Sequence, residues 1–168
     1  MTPAQRSIID QHAQIFPTSC PGSLLEMLLK VVGAIPPDCF DFQRADPTGM
    51  LGLGPYSGAR LPGDYTLRRI AQGVPWEFPL AGIKAKLNDG VVVGIFENPP
   101  GGAHGWVIDE IRINGAGVEE IVLTTKPSEM RHGEGKITVS RAMSVPDAAN
   151  LRWSDPVFVE KLPPSPGQ

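Results

Sequence analysis

One stretch leaves the chain few choices: CPGSLLEMLLKVVG, residues 20–33, in which a proline opens the run and a glycine closes it. Proline is favoured in the first turn of a helix, where its missing N–H costs nothing. A glycine at the far end supplies the left-handed residue that stops a helix. Between them Leu24, Leu25, Leu28, Leu29, Val31 and Val32 are apolar nearly all round, so the predicted helix belongs inside a core. Cys20 then stands at the positive end of that helix, where the dipole and first-turn N–H groups favour a thiolate and can receive an oxyanion.

A buried helix needs a body around it, and 168 residues supply one domain, expected over 1–162 with a loose tail at 163–168. Gly 19 and Pro 18 point to many turns, and 41% apolar residues exclude disorder. Acidic and basic residues are spread along the chain with a net charge of −3, so no basic patch offers a nucleic-acid surface. No apolar run nears the roughly 18 residues of a membrane span. Cys20 and Cys39 are expected as reduced thiols, since neither a secretory signal nor a disulfide-dense pattern accompanies them. The expected location is cytoplasmic, or outside the cell by a signal-peptide-independent route; oligomeric state is not legible.

Along the chain, residues 1–13 read as a short helix capped near Thr2 with Pro3 in its first position. His12, at its end, is expected at the surface or the rim of the core. Residues 35–63, rich in proline and glycine, read as a long irregular excursion, with Tyr56 either on the lip of a cleft or on a plain surface loop. Asp64–Gly73 reads as a two-turn helix capped by Asp64, VPWEFPL as an interrupted edge segment, and AGIKAKLND as a further helix. Val91–Phe96 is a continuous apolar strand buried on both faces. After the glycine-proline loop ENPPGGA, His104 opens the strand HGWVIDEIRI, and VEEIVLTT follows. His132 falls in a polar turn, as a solvated residue. KITVSRAMSV reads as a strand or strand-to-turn piece, Val157–Glu160 as the last strand, and Trp153 as packing near the end of the sheet.

Asn114-Gly115 is the strongest short-range hairpin signal. A two-residue turn there pairs Ile113 with Ala116 and sets His104 directly opposite Thr125; a one-residue change in the loop would substitute Thr124 or Lys126.

Gln14, six positions before a cysteine that opens a helix, and His104, opening a strand after a loop, together resemble the papain-like cysteine peptidases, more narrowly the bacterial double-glycine (bacteriocin-processing) peptidases. The resemblance is tight only over residues 14–33 and 82–127. It implies an α+β papain-like fold, in which a helical part bearing the nucleophile packs on an antiparallel sheet or half-barrel. It also implies Cys20 as nucleophile, His104 as base, Gln14 as an oxyanion donor and no cofactor. The implied substrate is a peptide or protein amide, and a bacterial toxin or effector fits by analogy. The chain departs from the family at the third position: where relatives read aspartate-proline, it reads Thr124-Thr125-Lys126-Pro127, so Thr125 would orient the ring without a charge. Val91 stands where many relatives have proline.

The competing reading is a catalytically inactive papain-like domain that binds a peptide or partner. A zinc site from Cys20, Cys39, His104 and His132 lacks any closely spaced ligand pair. Paired-carboxylate chemistry fares no better, because Glu119-Glu120 and Asp109-Glu110 are adjacent on strands and point to opposite faces.

Overall fold

Helix α2 (Cys20–Val31) lies in the core as its composition demands, with residues Gly22 through Lys30 all buried. Its end is a Schellman motif: Gly33 takes φ +75°, Ala34 N–H donates to Leu29 O (2.9 Å) and Gly33 N–H to Lys30 O (3.0 Å). The computed structural model describes residues 1–70, 78–98, 104–126, 138–154 and 156–164.

The fold is α+β, built on a six-stranded antiparallel sheet. In chain order the strands are β1 (Tyr65–Arg69), β2 (Val93–Glu97), β3 (His104–Ile113), β4 (Glu119–Thr125), β5 (Val139–Ser144) and β6 (Val157–Lys161). They lie side by side as β1-β6-β2-β3-β4-β5. On one face, α2 buries Leu24, Leu25, Leu28 and Leu29 against Leu67, Val107, Val157 and Val159, with α1 (Pro3–Asp10) adding Ile9. Gly94 makes that approach possible, since a Cβ there would come within 2.7 Å of Leu24 Cδ1. On the other face, Val93, Ile95, Trp106, Ile108, Ile121 and Leu123 pack with Ile83 of α4 (Leu80–Asn88), Ala148 of α5 (Val145–Ala149) and Trp153. The strands are thus apolar on both faces, which is why VVVGIF does not alternate.

Several expectations hold. The N-terminal helix has its Thr2 cap, completed by Gln5 into a capping box. The helix over AGIKAKLND, the strand before the histidine and the last strand are all present. Trp153 is fully buried. The excursion after α2 is largely irregular but holds a short helix, α3 (Asp41–Ala45). Among the described residues no helix is long and apolar enough to cross a membrane.

Two expectations fail. The helix predicted from Asp64 begins instead as strand β1. Asp64 sits at φ +62°, not in the extended conformation a cap needs, and Tyr65–Arg69 pairs residue for residue with β6, Arg68 Nε bonding Glu160 Oε1 at 2.7 Å. Pairing to a distant strand overrides local preference here. The hairpin after β3 is also longer than a two-residue turn. Asn114 Oδ1 accepts from Ala116 N (2.9 Å) and Val118 N (3.1 Å), and Gly117, not Gly115, takes the left-handed conformation. Ile113 therefore faces Glu119, and a bulge at Asp109 shifts the register once more, so that Val107 faces Thr124. Continued by one residue, that register sets Trp106, not His104, opposite Thr125. His132, the core of ENPPGGA, most of VPWEFPL and the end of the tail lie outside the described residues.

Candidate functional site

Cys20 is the first residue of α2 and is half-buried. Ser19, in the capping position, spends its hydroxyl on Gln43 Oε1 (2.7 Å), so the helix has no side-chain cap at the end that carries the cysteine. Gln43 is a fully used bracket: Oε1 also accepts from Ile15 N (2.8 Å), while Nε2 donates to Ala13 O (2.9 Å) and Glu26 Oε1 (2.7 Å). The approach to Cys20 is thereby fixed to the body of α2.

The sheet end that faces this helix start is where β2 stops and β3 begins. Leu24 packs on Gly94, and one turn earlier Pro21 lines a cavity with Phe96 and Asn98, further along β2. Phe96 pairs with Gly105, and Glu97 with His104. Cys20 and His104 therefore lie toward the same end of the sheet. By register His104 shares its face with Glu97, Trp106 and Thr125, the face opposite α2, so an approach of the two groups has to run over the strand ends.

His104 is half-buried, and its ring meets Trp106 edge-on at 5.0 Å between centroids. Nε2 lies 3.1 Å from Thr125 Oγ1, and that hydroxyl donates its one proton to Gly105 O at 2.7 Å. Oγ1 can then only accept from the ring, which assigns the proton of the neutral imidazole to Nε2 and its lone pair to Nδ1. Thr125 is not opposite His104, as the two-residue turn would have it, but reaches the ring diagonally, across the shifted ladder. Lys126 is buried elsewhere, its amine donating to Asp10 O (2.9 Å) and Thr138 Oγ1 (3.0 Å).

Gln14 is buried, and its amide donates to Phe16 O (3.0 Å) and Pro17 O (3.3 Å), within its own loop. Its donors face the turn that leads to Cys20, and an oxyanion would have to compete for them. Tyr56 stacks edge-on with Phe42 (5.4 Å) and is partly buried against the core. The lip of the cavity is instead Gly49, Gly52 and Leu53. Cys20 and Cys39 are both outside any disulfide. Among the described residues no three His, Cys, Asp or Glu side chains are grouped to hold a metal ion.

A second polar cluster was missed at the level of sequence. His12, expected at the surface or core rim, is only 1% exposed. Its Nδ1 lies 2.9 Å from Lys30 Nζ and its Nε2 2.9 Å from Ser23 Oγ. Burial first, then the charges of Lys30 and Lys126, holds its pKa well below the ordinary histidine value. Lys30 is pushed down by burial, against Glu26, and stacks on Phe40 at 4.1 Å. Burial raises Glu26 to about 7, against hydrogen bonds from Gln43 and Phe42 and the charge of Lys30. The available signal was Glu26 and Lys30 themselves, two ionisable residues on an otherwise apolar helix that needed buried partners. Glu97 was missed as well: it is the direct cross-strand partner of His104, 8% exposed, and ion-paired with Arg141 (2.8 Å).

Compared with known proteins, the chain matches no family model, no curated protein and no solved structure.

Proposed function

We propose that the chain is a cysteine-dependent peptidase or amidohydrolase of papain-like design, acting on a peptide or protein amide through Cys20 and His104. The observation that carries this reading is the Thr125 hydroxyl, which donates to Gly105 O and so must accept from His104 Nε2, leaving the Nδ1 lone pair as the base. In the reaction His104 takes the proton of Cys20, and the thiolate attacks the carbonyl. The Cys20 N–H at the start of α2 holds the oxyanion. Gln14 adds a donor by releasing one of its loop carbonyls. His104 then protonates the leaving amine, and water resolves the acyl-enzyme.

Alkylation tests the reading. Iodoacetamide at pH 6 is expected to modify Cys20 much faster than Cys39, because only a thiol of lowered pKa is ionised there. Equal, slow rates would sink the proposal. The second reading, an inactive domain of the same design that binds a peptide or partner, is favoured by one observation: the Gln14 amide is already engaged within its loop. That reading expects the slow rate.

A further inference from the structure

We infer that the cavity beside Cys20 is a subsite for an acidic residue of a peptide or protein substrate, with Arg69 receiving its carboxylate; this rests on Cys20 being the nucleophile, as proposed above. The cavity measures about 260 Å³. That is below the roughly 300–1,000 Å³ of sites that enclose a whole small molecule, and suits one side chain of an extended segment. Pro21, the residue after Cys20, forms one wall, and Leu53, Phe96 and Val157 supply apolar lining. Arg69 is the one charged residue among the described residues that line it.

Register places Arg69 there. It pairs with Val157 and lies two residues beyond Leu67, both buried under α2, so its side chain belongs to the α2 face at the C-terminal end of β1. Arg68, on the opposite face, is held by Glu160, whereas among the described residues no carboxylate pairs with Arg69. Asn98 lines the same cavity. Its amide nitrogen donates to Ser154 Oγ (2.8 Å), leaving Oδ1 to accept a substrate N–H. A cation and a held acceptor in one apolar slot match a residue with a backbone N–H and a carboxylate-tipped side chain.

The lip argues for a chain rather than a metabolite. Between the lining residues Gly49 and Gly52, Met50 and Leu51 are 87% and 58% exposed. Their loop is tied down by Leu51 N–H on the Asp46 carboxylate (3.2 Å) and by Gly49 packed on Thr18 O and Pro21. Apolar side chains held out on a fixed rim offer a surface to residues that flank the acidic one.

The test uses chloroacetyl dipeptide amides carrying Glu or Gln at either position, with Leu at the other, and intact mass to follow displacement of chloride by the Cys20 sulfur. The better Glu probe is expected to label Cys20 roughly three- to tenfold faster than its Gln counterpart. The preference should disappear in Arg69→Gln, persist in Arg69→Lys and reverse in Arg69→Glu. Within each variant the Glu and Gln probe rates are divided by that variant's own iodoacetamide rate at Cys20, so that any change in the sulfur's reactivity cancels from the preference. Equal labelling by Glu and Gln probes, with iodoacetamide still fast at Cys20, would overturn the subsite alone, and so would a preference that survives Arg69→Gln. Slow iodoacetamide labelling of Cys20 in the unmodified protein would overturn the parent reading and this one with it.

Discussion

Two histidines in this molecule make the same local bond and live in opposite circumstances. His12 and His104 each place Nε2 against a hydroxyl, Ser23 at 2.9 Å and Thr125 at 3.1 Å. At His12 the other ring nitrogen faces Lys30, and the group is sealed in the helical layer, so burial and a neighbouring cation keep it neutral with nothing to receive from solvent. His104 stands at the first residue of a strand, half-buried, at the sheet end that faces the start of α2. A hydroxyl-oriented imidazole is therefore not a site by itself. Access, and a group for the second nitrogen to serve, decide whether it is one.

The two histidines are expected to differ most in their effect on the Cys20 sulfur. In the proposed dyad, His104→Ala should slow iodoacetamide alkylation of Cys20 at pH 6 by about ten- to a hundredfold, because a thiol of ordinary pKa near 8.5 is then under 1% ionised. His12→Gln should leave that rate within about twofold, since Gln can still accept from Lys30 and donate to Ser23. If both variants slow the reaction alike, the two histidines form one electrostatic system and His104 is not the dedicated partner of Cys20.

What could be read from sequence follows from how local the deciding forces are. α2 was legible because its stop signal and its composition lie within one stretch, and the Schellman bonds at Gly33 use those same residues. β1 was not, because its partner β6 lies some ninety residues away. The β3–β4 register was missed because one Asn114 side chain bonds two backbone N–H groups and lengthens the turn, and because a bulge at Asp109 cannot be counted from alternation. Cys20 and His104 stand out through the resemblance, and Thr125 as one of three neighbouring candidates, from a register that the structure does not keep. Glu26 carried a signal, a carboxylate on an apolar helix, but not the identity of its partners; Gln43 and Glu97 carried none, since what matters about each is the segment it meets, and that is fixed only by tertiary packing.

The two histidines also differ in what they contribute to stability as pH changes. His12 has a depressed pKa in the folded chain and an ordinary value near 6.5 when unfolded, so the unfolded state takes up the proton first. The contribution of neutral His12 is therefore whole above about pH 6.5 and is lost as pH falls below it, at up to about 1.4 kcal/mol per pH unit. Urea titrations at pH 5, 6, 7 and 8 should show the advantage of the unmodified protein over His12→Gln shrinking below pH 6.5. Parallel curves for the two proteins would mean that His12 is not held neutral.

The smallest effect is the most discriminating, because it separates orientation from mere packing at the two hydroxyls. Thr125→Val keeps the volume but leaves His104 Nε2–H and Gly105 O without their shared partner, so the ring loses its fixed tautomer. One hydrogen bond of about 0.5–1.5 kcal/mol corresponds to roughly a two- to twelvefold slower alkylation of Cys20. Thr125→Asn restores an acceptor for Nε2–H and should recover much of the rate. Ser23→Ala removes the equivalent bond at His12, a buried one, and should lower the urea midpoint while leaving Cys20 reactivity unchanged. If instead Thr125→Val lowers stability and does nothing to Cys20, then Thr125 is to His104 only what Ser23 is to His12, a partner for a buried N–H, and the orienting role assigned to it fails.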